Sequence, residues 1–172
     1  IDIIIPAFNE ENSVGKVIND IPKNLIREII VVNNNSTDKT AINAKEAGAT
    51  VIEESNMGYG NACLKGIAHI NQKEIKPEIV VFLDADYSDY PEEVVNLIAP
   101  ITTQNMDMVI GSRALGNLEK GAMTPQQVFG NWLATFLLKL FYGVKYTDLG
   151  PFRAIKYDSL IALKMQDKTY GW

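Results

Sequence analysis

The sequence predicts a single α/β domain, residues 1–172, built on a mostly parallel sheet with helices on both faces. Short apolar runs rich in β-branched residues recur along the chain, and polar or turn residues bound each one. Helical stretches separate the runs, and such βα alternation implies right-handed crossovers between parallel strands. The length agrees, since 172 residues suffice for one full core and not for two.

The runs are Ile3–Ile5, Ile29–Val32, Thr50–Ile52, Ile79–Leu83 and Met108–Gly111. They lack strict polar alternation, as strands buried on both faces do. Helices are expected over residues 11–20, 37–48, 58–73, 91–103 and 125–142. Ser36, ahead of Thr37-Asp38, reads as an N-cap with an acid in the first turn. Gly48 reads as the stop of that helix, and Pro91-Glu92-Glu93 as the start of another. Residues 112–124 read as a loop.

Composition removes several function classes. The balance of 16 Lys+Arg against 21 Asp+Glu gives a net charge of −5, against the clustered basic charge that duplex DNA requires, so no nucleic-acid partner is expected. A hydrophobic content of 47% argues against disorder. The lone Cys63 rules out an internal disulfide and a cysteine-based zinc cluster. No apolar run reaches the roughly 18 residues of a membrane span. The chain opens on Ile1-Asp2-Ile3-Ile4-Ile5 with no basic leader and stops at Tyr170-Gly171-Trp172, so it is expected to be a piece of a longer protein.

The unusual polar residues fall at the carboxyl ends of the expected strands. They are Pro6-Ala7-Phe8-Asn9-Glu10, Asn33 to Asp38, Asn56 to Gly60, Asp84-Ala85-Asp86 and Gly111-Ser112-Arg113. Open α/β sheets bind ligands at that edge. The first βα turn has no G-x-G-x-x-G and the chain has no P-loop, which removes support for the dinucleotide and P-loop classes. Asp84 and Asp86 are two apart at a strand end, a spacing that puts both carboxylates on one face. Two such carboxylates suit Mg2+ or Mn2+ shared with the phosphate oxygens of a diphosphate. In isolation the pair would read as two solvated turn residues; its place at the end of a buried strand, among four other polar segments, reverses that in favour of the metal reading.

Six pieces, in order, carry a family likeness: Pro6-Ala7-Phe8-Asn9-Glu10, Ser36-Thr37-Asp38, Asn56-Met57-Gly58, Asp84-Ala85-Asp86, Gly111-Ser112-Arg113 and Thr147-Asp148-Leu149-Gly150-Pro151-Phe152-Arg153. Through them the chain resembles the family 2 glycosyltransferases of GT-A fold, especially the dolichyl-phosphate mannose and polyprenyl-phosphate glucose synthase branch. The resemblance implies a three-layer αβα sandwich with a Rossmann-like nucleotide-binding sheet. It implies inverting transfer of a sugar from a nucleotide-diphosphate donor, a UDP- or GDP-sugar. Pro6, Ala7, Phe8 and Glu10 would line the base and ribose pocket, with Asn34, Asp38, Gly58 and Ala85 also at the nucleotide-sugar. Asp84 and Asp86 would serve the ribose and the metal–diphosphate, Asp86 being the more direct ligand. Where the family has Asp-Asp-Gly this chain has Asn33-Asn34-Asn35, so Asn34 would accept from the base through an amide oxygen, without charge assistance. Where the branch often has Gln, this chain has Ser88.

Arg113 is the candidate second cation for a donor or acceptor phosphate, its planar fork suiting phosphate oxygens. A lipid-phosphate acceptor is already anionic and needs no strong base, whereas a sugar hydroxyl needs a carboxylate to take its proton. Asp148 is the candidate for that base or for acceptor positioning, with a plain turn residue as the alternative. Arg153 either binds phosphate or holds Asp148. His69, amid Ala68, Ile70 and Asn71, reads as a surface or packing residue.

In residues 125–142 the pairs Val128/Phe129, Trp132/Leu133, Phe136/Leu137 and Leu140/Phe141 recur every four residues and form one apolar face. Either this is a core helix packed on the sheet, or it lies partly in a membrane interface beside a lipid acceptor. The sequence thus leads to a metal-dependent glycosyltransferase at the cytoplasmic face of a membrane, acting on polyprenyl or dolichyl phosphate. Transfer to a growing saccharide is the alternative within the enzyme class. A nucleotide-sugar-binding module without turnover is the alternative outside it.

Overall fold

The computed structural model describes residues 1–112, 125–143, 147 and 150–169. They fall into two compact units: Ile1–Val109 with Phe152–Trp172, and Ile110–Pro151.

The first unit holds a mixed sheet of strands β1 (Asp2–Ala7), β2 (Glu28–Asn33), β3 (Thr50–Glu53), β4 (Ile79–Phe82), β5 (Met108–Ile110) and β6 (Arg153–Lys156), in the order β3-β2-β1-β4-β6-β5. β1 pairs in parallel with β2 and β4, and β2 with β3. β6 runs antiparallel to β4, with Arg153 opposite Phe82. The expected fold class is therefore found, with one strand more than the sequence suggested. β6 is four residues long and inserts beside β4, so the sheet is parallel only in part.

The helices of this unit are α1 (Val14–Asp20), α2 (Thr40–Glu46), α3 (Tyr59–Asn71) and α4 (Val94–Gln104). A further short helix, which we number α6 (Tyr157–Ala162), follows β6, because α5 (Pro125–Tyr142) precedes it in the other unit. Two expected starts shift. Pro91–Glu93 forms a 3-10 turn ahead of α4. Ser36 does not cap α2; Asp38 does, its Oδ1 accepting the Thr40 N–H at 2.9 Å. Ser36 instead accepts the Asn9 N–H through Oγ at 3.0 Å.

Every residue of β1 is buried, which explains its unbroken apolar run. Ile3, Ile5 and Ala7 join Ile29, Val31, Val81 and Leu83 in a core closed by Val14, Val17 and Ile18 of α1, Ala44 of α2 and Leu97, Ile98 and Ile101 of α4. Ile4 points the other way, into a second core with Ile30, Val32, Phe82, Ile155, Ala62, Cys63, Ile67 and Ile70 of α3, and Leu160 of α6. Two cores on the two faces of one sheet make three layers. Each fully buried Ile contributes about 1.5–3 kcal/mol relative to exposure. The α3 layer sits close: a Cβ added at Gly66 would stand 2.6 Å from Cγ2 of Ile4.

The amino edge of the sheet is fixed by charge. Asp2 is fully buried, and Arg27 holds it through Nε at 2.8 Å and a terminal guanidinium nitrogen at 2.6 Å. Lys73 adds a third contact at 3.4 Å. The hydrogen bond to Asp2 raises the Arg27 pKa, so the guanidinium keeps its charge beside this buried carboxylate.

In the second unit, α5 exposes Trp132, Leu133, Phe136, Leu137, Leu140 and Phe141. Trp132 and Phe136 stack, with ring centroids 5.7 Å apart. The exposed side chains are three of the four expected apolar pairs; the side chains of the fourth, Val128 and Phe129, lie outside the described residues. Thr147 donates to Ser112 between hydroxyl oxygens 2.8 Å apart. Among the described residues no helix is long and apolar enough to cross a membrane.

Candidate active site

The carboxyl ends of β1, β2, β3 and β4 share one edge because these strands are parallel. The loops after β1 and β2 are stitched together there. Asn9 donates its N–H to Ser36 and accepts the Thr37 N–H on Oδ1 at 2.8 Å. The Glu10 N–H reaches Oγ1 of Thr40 at 2.7 Å, and the Glu11 N–H reaches Oδ2 of Asp38 at 3.1 Å. Asp38 therefore clamps the first loop to the start of α2. What burial it has pushes its pKa up. The hydrogen bonds from Thr40 and Glu11 outweigh that and hold the carboxyl below its ordinary value.

Pro6 and Ala7 are buried within β1, while Phe8 stands 48% exposed directly after it. Glu10 is half-buried and accepts from the Ser13 hydroxyl at 2.7 Å. Phe8 and Glu10 are thus the members of this expected set whose side chains a ligand can reach.

The three asparagines at the end of β2 lace it to the end of β3 and the loop after it. Asn33 donates to Oε2 of Glu53 at 2.7 Å, and Asn35 to the Ser55 carbonyl at 2.6 Å. Asn34, 5% exposed, donates to the carbonyls of Glu54 at 2.9 Å and Asn56 at 2.7 Å. Its Oδ1 accepts the Gly58 N–H at 2.8 Å. The oxygen expected to meet a nucleotide base is therefore one that also anchors Gly58, with a single lone pair left over. A carboxylate could not make this arrangement, because two carbonyl oxygens face the amide nitrogen.

Gly58 has φ +132°, a conformation L side chains rarely adopt, and a Cβ there would lie 2.6 Å from the Lys168 carbonyl oxygen. The close approach that Gly58 permits is thus to the chain's own carboxyl-terminal segment. That segment caps α3: the Gly60 N–H donates to the Thr169 carbonyl at 3.1 Å and the Asn61 N–H to the Lys168 carbonyl at 3.0 Å.

β4 ends at Phe82, one residue earlier than expected, and Ala85-Asp86 form a turn. The two acids are therefore not placed by a shared strand face. Leu83 and Ala85 belong to the core on the α1 side, so Asp84 between them falls on the α3 side. There its Oδ1 accepts from the Tyr59 hydroxyl at 3.0 Å. Asp86 is exposed; its Oδ1 accepts the Ser88 N–H at 2.9 Å. Tyr87 has φ +65° and donates its hydroxyl to Asp20, which pins the turn to the end of α1.

Tyr59 and Cys63 lie one turn apart on α3, facing Asp84. Burial first, then the charges of Cys63 and Asp84, push the Tyr59 phenol well above its ordinary pKa, against the opposing charge of Arg153. Burial and Asp84 do the same to the Cys63 thiol. Both groups stay protonated, and Tyr59 is a fixed donor. The charge of Arg153, on β6, acts on both Tyr59 and Cys63. Tyr59 escaped the sequence reading; the available signal was the Tyr59/Cys63 spacing of four on the helix face turned to the sheet.

The residues fit a hard divalent cation. Asp84 and Asp86 offer only oxygen donors, and the second oxygen of Asp86 accepts nothing from any described residue. Among the described residues no cluster of three or more acidic, histidine or cysteine side chains could hold a metal alone. Remaining ligands would come from substrate phosphates and water, the usual arrangement for Mg2+ and Mn2+. Arg113, with most of the 112–124 loop, and Asp148 lie outside the described residues.

Comparison with known proteins agrees with this architecture. An uncharacterized protein of Methanocaldococcus jannaschii is 33% identical over 159 residues, covering 91% of this chain and 65% of that protein. A UDP-N-acetylglucosamine–dolichyl-phosphate N-acetylglucosaminyltransferase of Methanococcus voltae is 28% identical over 164 residues, covering 85% of this chain and 64% of that one. The crystal structure of glucosyl-3-phosphoglycerate synthase from Mycobacterium tuberculosis, in complex with Mn2+, UDP-glucose and phosphoglyceric acid, superposes with a TM-score of 0.69 at 26% identity. It covers 91% of this chain and 56% of that structure. The chain thus spans somewhat under two thirds of these proteins. The model of glycosyl transferase family 2 matches residues 2–163, through both units, and the chain belongs to that family.

Proposed function

We propose that this chain is the donor-binding part of an inverting, metal-dependent glycosyltransferase that moves a sugar from a UDP- or GDP-sugar to an acceptor. The observation that carries this reading is the exposed Asp86 carboxylate in the turn after β4, beside an Asp84 held by Tyr59. Asp86 and Asp84 would hold Mg2+ or Mn2+. When bound, the cation offsets negative charge developing on the departing diphosphate. Phe8 and Glu10, exposed and half-exposed at the end of β1, would meet the base and ribose, with Pro6, Ala7 and Ala85 as the buried backbone beneath. Asn34 and Gly58 shape the loop beside them, and Asp38 fixes the loop that carries Glu10. Arg153, whose charge acts on Tyr59 and Cys63, would pair with a phosphate. Arg113 and Asp148 keep their proposed roles at phosphate and acceptor.

The favoured acceptor is a polyprenyl or dolichyl phosphate at the cytoplasmic face of a membrane. Two observations support it: the Methanococcus voltae relative is named for a dolichyl-phosphate acceptor, and α5 exposes a long apolar face. A lipid phosphate attacks as an anion, so no general base is required. The reading as a binding module without turnover rested on Asn33-Asn34-Asn35. That run has a structural reason here, since the Asn33 amide bonds the last residue of β3 and those of Asn34 and Asn35 tie down the loop after it.

The test is a donor screen on the full-length protein with labelled UDP- and GDP-sugars, Mn2+ or Mg2+, and membrane extract. Label entering the organic phase is expected, and its loss in a folded Asp86→Ala variant. Label confined to water-soluble product overturns the lipid acceptor. No transfer from any donor by the wild type overturns the enzyme.

A further inference from the structure

We propose that Tyr59 is a positioning residue for donor binding: its hydroxyl holds the Asp84 carboxylate in one orientation, so that the approach of metal and nucleotide depends on the start of α3. This rests on the reading of Asp84 and Asp86 given above.

The geometry has three parts. Tyr59 is the first residue of α3, half-buried, with its hydroxyl 3.0 Å from Oδ1 of Asp84. Asp84 lies two residues past the end of β4, on the side of the sheet that α3 covers. The phenol, carried by a helix, restrains the side-chain torsions of Asp84 through this hydrogen bond. Tyr59 is in turn held on both sides. Asn34 grips Gly58 immediately before it, and the carbonyls of Thr169 and Lys168 cap Gly60 and Asn61 immediately after it. The carboxyl-terminal segment and the loop after β2 therefore both act on Asp84 through the Tyr59 hydroxyl.

Groups that orient a metal ligand without touching the metal typically change its affinity by about 10–100-fold when removed. Tyr59→Phe keeps the ring in the α3 core and deletes only the donor. The experiment measures binding of UDP and of GDP to the full-length protein by calorimetry, with Mn2+ and with chelator, for wild type, Tyr59→Phe, Asp84→Asn and the double variant. Thermal midpoints are recorded alongside. The expected result is Mn2+-dependent binding weakened roughly tenfold in Tyr59→Phe, with metal-free binding and the thermal midpoint little changed. Because Tyr59 acts through Asp84, the double variant should bind no more weakly than Asp84→Asn alone.

Equal Mn2+-dependent binding in wild type and Tyr59→Phe overturns the inference and leaves the donor-site reading standing. So does additive loss in the double variant, which would mean that Tyr59 acts independently of Asp84. Absence of Mn2+-dependent binding of either nucleotide by the wild type overturns the donor-site reading and the inference with it. Should Tyr59→Phe lower the thermal midpoint strongly, comparing the double variant with Asp84→Asn still decides, since a merely structural role predicts the same midpoint loss in both backgrounds.

Discussion

Asn34 accepts the Gly58 N–H through its amide oxygen at 2.8 Å while its nitrogen serves two carbonyls, so one side chain joins the end of β2 to the start of α3. Only an amide has donors and an acceptor together in this arrangement. Asn34→Asp would set a carboxylate against the carbonyls of Glu54 and Asn56. Leaving buried polar groups unsatisfied costs about 1–3 kcal/mol each, so a loss of about 2 kcal/mol or more is expected in denaturant unfolding. The penalty should shrink at acid pH, where the protonated side chain regains one donor. A pH-independent loss would count against this account.

Gly66 marks the tightest contact between α3 and the sheet. A methyl group there would meet Cγ2 of Ile4 at 2.6 Å, with Cγ1 and Cδ1 at 3.1 Å. Ile4 is fully buried in β1 and has no room to yield. Gly66→Ala is expected to destabilise by about 1–3 kcal/mol despite the better helix propensity of alanine. Combined with Ile4→Ala it should cost less than the sum of the two single changes, measured as a double-variant cycle of urea midpoints.

Most of the sheet was legible because both-face burial leaves an unbroken apolar run, as in Ile3-Ile4-Ile5 and Ile29 to Val32. β6 was not, because Arg153-Ala154-Ile155-Lys156 is short, ends in charges and runs against its neighbour. The helix starts were misplaced where the loops use side chains twice. Ser36 looks like a cap in sequence, but its hydroxyl is taken by Asn9, and Asp38 does the capping two residues later. Polar residues at strand ends pointed to the correct edge. Local spacing could not reveal that Asn34 turns inward to the next loop, or that Tyr59, 25 positions away, reaches Asp84.

Asp38 should leave a trace in acid stability. Its folded pKa lies below the ordinary 3.8, so ionised Asp38 contributes stability that is fully present above that value. The contribution is lost as pH falls through the lower, folded pKa. Asp38→Asn is expected to lower the thermal midpoint at neutral pH, because an amide keeps an acceptor for only one of the Thr40 and Glu11 N–H groups and turns a donor towards the other. Its midpoint should fall less steeply than that of the wild type below about pH 4. Parallel acid limbs would remove Asp38 from the clamp.

The exposed face of α5 gives the lipid-acceptor proposal its own readout. Trp132 is 58% exposed and Phe136 48%, and the stacked pair forms a continuous aromatic surface with Leu133 and Leu137 beside it. Inserting one such side chain into an apolar phase gains about 1.5–3 kcal/mol, equivalent to roughly tenfold or more in partitioning. The helix carries one charge, Lys139, so attraction to anionic headgroups should add little. Vesicle sedimentation of the full-length protein is therefore expected to fall at least tenfold in Trp132→Ser/Phe136→Ser, whether the vesicles are neutral or anionic, with the fold intact by circular dichroism. If binding survives the double change, or appears only on anionic vesicles, α5 is not what meets the membrane.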